Sequence, residues 1–117
     1  MIFYGYRKCS TCRQAQQFLR ERGIDVPMRE IRDTPPSIDE LRAALRLLGG
    51  ERKLLLNTAG AEFRAMGLKD KLDALSDDEM FALIQQQGNL CKRPFLLDEA
   101  RGIALTGFRQ DEWQKAL

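Results

Sequence analysis

Tyr4-Gly5-Tyr6-Arg7-Lys8-Cys9-Ser10-Thr11-Cys12-Arg13 is the stretch that decides how the chain is read. It follows an apolar run, Met1 to Phe3, and precedes a segment with helical periodicity, so Cys9 and Cys12 are expected where a strand hands over to a helix N-terminus. Free backbone N–H groups and the helix dipole favour negative charge there, and a thiolate in that position has its pKa lowered from about 8.5 toward roughly 3.5–7.5. Cys9 is therefore the expected nucleophile. Cys12, one helical turn on, is placed to attack a mixed disulfide on Cys9. Arg7, Lys8 and Arg13 put three cations within four residues of Cys9, and Ser10 and Thr11 add hydroxyls and backbone donors able to cap the helix or hold an oxyanion. A Cys-x-x-Cys is also half of many zinc sites. With three cysteines and no histidine, a four-ligand zinc site here would need carboxylates or a second chain, so no metal is expected.

Working outward, Met1–Tyr4 reads as a buried strand closed by Gly5, and Ser10–Arg22 as a helix whose apolar face is Ala15, Phe18 and Leu19, with Gly23 just past its end. Pro27–Ile31 alternates apolar with polar and completes a β-α-β unit. Thr34-Pro35-Pro36 then breaks the chain. Ser37-Ile38-Asp39-Glu40 and Ser76-Asp77-Asp78-Glu79 both have the capping-box pattern, and each opens a helix, one ending at Gly49-Gly50 and the other at Gly88-Asn89. Between them, Leu54–Leu56 and Phe63, Met66 and Leu68 suggest short helices broken by Gly60 and Gly67. Pro94–Leu97 and Ile103–Leu105 read as a hairpin, and a last helix runs through Trp113 to Leu117. The order β-α-β, helices, β-β-α predicts an α/β chain: a thioredoxin-like four-stranded mixed sheet with helices on it and a helical insert, about 37–90, between strands 2 and 3. Residues 1–117 are expected to form one domain.

Composition sets bounds on function. Nineteen basic against 17 acidic residues leave a net charge of +2, and no basic helix stands out, which argues against direct nucleic-acid binding. An apolar fraction of 44% with no run approaching spanning length, and no leader pattern at the N-terminus, predicts a cytoplasmic protein with no membrane contact. There a Cys-x-x-Cys is more often a working redox pair than a structural bridge. Cys91, in an apolar context, reads as a core residue.

Tyr-Gly-x-x-x-Cys-x-x-Cys-Arg at the start, Leu55-Leu56-Asn57-Thr58 in the insert, Lys92-Arg93-Pro94 before the hairpin and Gly107-Phe108 after it occur together in order. This set resembles the arsenate reductase ArsC/Spx/MgsR-like family of thioredoxin-fold proteins over nearly the whole chain. The resemblance implies that Cys9 is the catalytic cysteine and that Ser10, Thr11, Arg13 and Arg93 hold an anionic group. It also implies a cis bond before Pro94. Cys-x-x-Cys-Arg is closer to the Spx/MgsR side, where the pair is a redox switch in a regulator that touches RNA polymerase. Glutathione-dependent arsenate reductases carry an arginine where this chain has Asn57, and have no match for Cys12. The resemblance therefore implies a thiol-dependent oxidoreductase, expected to act as a monomer. It would have no bound cofactor, with glutathione as co-substrate and glutaredoxin or thioredoxin as partners. The alternatives are an Spx-like regulator binding RNA polymerase through protein contacts and a genuine arsenate reductase.

Overall fold

The computed structural model describes Met1–Leu117 throughout. Its strands are β1 (Ile2–Gly5), β2 (Met28–Glu30), β3 (Phe95–Asp98) and β4 (Ile103–Thr106). The helices are α1 (Ser10–Glu21), α2 (Ile38–Leu47), α3 (Ala61–Ala65), α4 (Leu68–Lys71), α5 (Asp77–Gln86) and α6 (Gln110–Ala116). The sheet order is β2-β1-β3-β4, with β1 parallel to β2 and antiparallel to β3, and β3 antiparallel to β4. This is the mixed thioredoxin-like sheet expected from the sequence, and the four helices α2–α5 form the insert between β2 and β3.

Side chains alternate across the central strands, and this splits the core in two. Phe3 and Leu96 point to one face, where they meet Ala15, Phe18 and Leu19 of α1 and Trp113 of α6. Tyr4, Phe95 and Leu97 point to the other, into a larger cluster of 18 buried residues that includes Leu41, Leu45, Phe81, Ile84, Leu90 and Cys91. Trp113 is fully buried, sits edge-on to Phe3, Phe18 and Phe108, and donates its indole N–H to the Gly107 carbonyl at 3.0 Å. The aromatic contacts and the satisfied indole dock α6 beside α1.

Both capping boxes form as the sequence predicts. Ser37 accepts from the Glu40 amide and Glu40 accepts from the Ser37 amide, and Ser76 and Glu79 do the same. These caps satisfy donors that would otherwise be orphaned at the starts of α2 and α5. Arg52 gathers the insert by donating to the Leu72 and Leu75 carbonyls and pairing with Asp77 at 2.8 Å. The three consecutive leucines divide, Leu54 lying exposed while Leu55 and Leu56 are buried. Leu56 bridges Cys91, and Lys92 donates to the Leu55 carbonyl at 2.8 Å. The insert is thereby tied to the segment that leads into β3.

Candidate active site

The site lies at the carboxyl ends of the parallel strands β1 and β2, where the chain leaves β1 through residues 6–8 and turns into α1. Cys9 is itself the N-cap of α1, with extended backbone (φ −87°, ψ 121°) and no side-chain capping bond. Its amide donates to the Tyr6 carbonyl at 2.9 Å, which fixes the turn. A capping position leaves the Cys9 side chain free of the helix while the first-turn amides face it. Neither Ser10 nor Thr11 caps the helix. Thr11 Oγ1 instead lies 3.0 Å from Cys9 Sγ, a hydroxyl aimed at the sulfur.

Partial burial of Cys9 works against ionisation, but the balance falls the other way. Thr11, the Cys12 thiol, the Cys12 amide and the charge of Arg93 together hold the Cys9 pKa below that of a free thiol. Cys12 is fully buried on the inner side of α1, and burial pushes its thiol up to about 12, with the Cys9 sulfur adding to the rise and the Tyr6 amide and Arg93 opposing it. Cys91 is also fully buried, and burial raises it to about 12. The three cysteines are all free thiols. They thus divide into one activated sulfur, one protonated neighbour hydrogen-bonded to it, and one core residue.

The cation whose charge favours the Cys9 thiolate is Arg93, distant in sequence, rather than the adjacent Arg7, Lys8 or Arg13. Arg7 turns toward Glu30, with Nε 3.9 Å from Oε2. Arg13 is tied to Cys9 through the backbone, its amide donating to the Cys9 carbonyl at 3.1 Å. Its side chain lines a cleft of about 620 Å³ beside α1, together with Ser10, Gln14, Gln17 and Phe108. The residues expected to hold an anion therefore fall on two sides of Cys9: Thr11 and Arg93 at the sulfur, Ser10 and Arg13 along the helix.

Arg93 is held from two directions. Its guanidinium lies 5.6 Å from the Tyr6 ring centre and donates to Asn89 Oδ1 at 2.9 Å. Asn89 in turn donates to Glu62 at 3.1 Å. Glu62 is lowered in pKa, by its own backbone amide first, then by Asn89 and by the charges of Arg93 and Arg32. Arg32 stacks on the same Tyr6 ring, at 4.7 Å. A planar guanidinium suits both jobs, stacking and directed donation. The Arg93–Pro94 bond is cis, as the resemblance implies. Tyr6, Asn89 and Glu62 were not singled out from the sequence: Tyr6 carries no local signal, and Asn89 reads only as a helix stop. Asn57 donates its amide to the Leu90 carbonyl at 2.8 Å, while its side chain packs against Gly60 at the start of α3.

No three Cys, Asp or Glu side chains gather as a metal-holding group. Cys9 is the one thiol whose pKa is lowered, and iodoacetamide should modify it first. Labelling followed against pH should show Cys9 reacting at a pH below the free-thiol range, with Cys12 and Cys91 unreactive until the alkaline limit. A Cys9 profile at or above that of free cysteine would remove the nucleophile assignment.

Comparison with known proteins gives relatives along almost the whole chain. The Bacillus subtilis protein YusI is 36% identical over 98% of this chain and 96% of its own length. The global transcriptional regulator Spx of Listeria monocytogenes is 31% identical over all of this chain and 86% of its own. Among solved structures, an ArsC family related protein from Bacteroides fragilis superposes with a TM-score of 0.87 at 35% identity, covering 99% of this chain and 96% of that one. A possible arsenate reductase from Streptococcus mutans gives 0.84 at 40% identity, covering 97% and 96%. The model of the ArsC family matches residues 4–116, from the tyrosine that starts the cysteine motif to the end of α6, and the chain belongs to that family.

Proposed function

We propose that the protein is a thiol-dependent oxidoreductase working by thiol–disulfide exchange, with Cys9 as nucleophile and Cys12 as resolving thiol. The observation that carries this reading is the contrast between the two sulfurs. Cys9 is held toward the thiolate at the mouth of α1, and Cys12 is kept protonated within hydrogen-bond reach of it.

In the first step the Cys9 thiolate attacks a substrate disulfide, one S–S bond breaks as another forms, and the departing thiolate takes a proton from solvent. Cys9 then no longer carries charge. Burial, the main cause of the high Cys12 pKa, remains, but the opposing Cys9 charge has gone, while the Tyr6 amide and Arg93 still favour the Cys12 thiolate. Cys12 gives up its proton, attacks Cys9 and releases the second substrate thiol. The resulting Cys9–Cys12 disulfide is returned to two thiols by two glutathione molecules, or by glutaredoxin or thioredoxin. Adduct formation is thus what activates the resolving thiol.

Arsenate reduction is the weaker reading. A compact oxyanion needs several fixed cationic donors. Among the cations only the charge of Arg93 favours the Cys9 thiolate, and uncharged Asn57 is turned to Gly60. Steady-state turnover of a glutathionylated peptide should therefore be robust and arsenate turnover slow under the same glutathione and glutaredoxin supply. Fast arsenate turnover without thiol exchange would reverse the assignment. The 31% identity to Spx over the whole of this chain supports a second reading, in which oxidation of Cys9 and Cys12 alters contacts with RNA polymerase. Capture of the polymerase by one redox form only, without turnover in the peptide assay, would favour it.

A further inference from the structure

Tyr6 touches both Cys9 and the cation that favours its thiolate. Its carbonyl accepts from the Cys9 amide at 2.9 Å, and its ring centre lies 5.6 Å from the Arg93 guanidinium. The first contact is made by the backbone and belongs to the turn from β1 into α1. The second is made by the side chain and reaches across to the segment before β3. Of the two tyrosines in the chain, it is Tyr4 whose hydroxyl is hydrogen-bonded, to Glu40 and Arg29; at Tyr6 the ring is what the structure uses, with Arg32 at 4.7 Å and Arg93 at 5.6 Å from its centre. Arg93 is contested. Asn89 Oδ1 accepts from its guanidinium at 2.9 Å, and behind Asn89 stands Glu62, whose carboxylate the Arg93 charge favours. Both draw the side chain toward the insert, and Arg32 repels it. A single hydrogen bond leaves an arginine free to pivot, whereas a bond together with a stacked ring fixes the guanidinium plane. The Tyr6 ring is the contact that holds Arg93 on the side of the Cys9 turn.

We propose that Tyr6 is a positioning residue: its backbone sets Cys9, its ring sets Arg93, and the aromatic face, not the hydroxyl, is the property that the site requires. This inference rests on Cys9 being the nucleophile, as in the exchange reading above. Because the bond to Cys9 belongs to the backbone, replacing the Tyr6 side chain leaves the turn in place and removes the ring alone. Arg93 is then placed by Asn89 and Glu62. The other charged groups nearby do not take over its part. Arg7 turns to Glu30, Lys8 and Arg32 border the cleft at the end of β2, and Arg13 lies along α1. Cys12, the titratable group beside Cys9 on α1, is itself a protonated thiol. With the ring gone, the thiolate therefore loses cationic support that no neighbour supplies.

The test is iodoacetamide labelling against pH on the full-length protein, comparing the wild type with Tyr6→Phe, Tyr6→Leu, Arg93→Gln and the double variant Tyr6→Leu with Arg93→Gln. Tyr6→Phe keeps the ring and should follow the wild type. Tyr6→Leu keeps apolar bulk without the ring face. It should move the Cys9 profile to higher pH and slow labelling at pH 7 by about two- to fivefold, and by no more than Arg93→Gln does. The double variant should match Arg93→Gln, because the ring then has no cation to place. Cys12 should stay unreactive until the alkaline limit in every variant, whereas general loosening around α1 would bring it into reaction together with Cys9. Equal displacement by Phe and Leu, additive displacement in the double variant, early labelling of Cys12 in Tyr6→Leu, or a Tyr6→Leu profile identical to the wild type would overturn the positioning role while leaving Cys9 as nucleophile. A wild-type Cys9 profile in the free-thiol range would overturn the nucleophile assignment itself and this inference with it.

Discussion

Cys9→Ser should lower disulfide exchange by about 10³-fold or more, to the level of the uncatalysed reaction, because a serine hydroxyl stays protonated where the cysteine is held as a thiolate. Thr11, the Cys12 amide and Arg93 would then face a neutral group, and their contribution would be lost together with the nucleophile. Cys12→Ser should behave differently. The first attack should persist, since three of the four groups favouring the Cys9 thiolate remain, and a mixed disulfide on Cys9 should accumulate. Peptide mapping of the wild type after mild oxidation should show Cys9 joined to Cys12 with Cys91 free. A bridge to Cys91 as the main product would make that buried thiol the resolving one and end the two-cysteine scheme.

Gly88→Ala should have the largest effect on stability. Gly88 is buried in a single 3₁₀ turn after α5, pressed against the chain that leaves β2. A Cβ there would run into the carbonyl of Ile31 and come within 3.1 Å of Arg32 Cα. The obstacle is backbone on both sides, so no rotamer change can relieve it, and the turn must move away from β2. Overpacking of this kind costs about 3 kcal/mol or more, which for a chain of this size lowers Tm by roughly 10–20 °C. The same shift would carry Asn89 with it and loosen the hold on Arg93, so the Cys9 pKa should rise toward that of a free thiol in whatever fraction remains folded. Thermal unfolding of the variant beside its iodoacetamide profile reads both effects. A variant with unchanged Tm would mean that Gly88 has no packing role.

The parts of the fold fixed by local chemistry were legible. Ser37 with Glu40 and Ser76 with Glu79 mark their helix starts because a capping box is complete within four residues. Cys9 and Cys12 were recognisable for a similar reason: a strand, a turn and a helix start follow one another directly. What could not be read is what depends on the strand order. Placing β3 beside β1 brings Arg93 to Tyr6 and Cys9, which left adjacency in sequence pointing at Arg7, Lys8 and Arg13 instead. Gly88 looked like a helix stop, and its role in letting two backbone segments touch appears only once β2 and the insert are packed together. The triple leucine was equally opaque, because only the pairing of Leu56 with Cys91 determines which of the three turn inward.

The split core has a consequence for signalling. The helix that bears Cys9 is rooted with Trp113 on one face of the sheet, while Arg93 and Asn89 belong to the side where the insert is anchored. A molecule gripping the insert can act on the thiol pair by moving Arg93, without touching α1. Linkage then works in both directions: if such a molecule alters the ratio of oxidised to reduced protein by some factor, its own affinity for the two forms must differ by that same factor. The sheet is thus a partition between two cores, and a thermodynamic account of either face has to include the other.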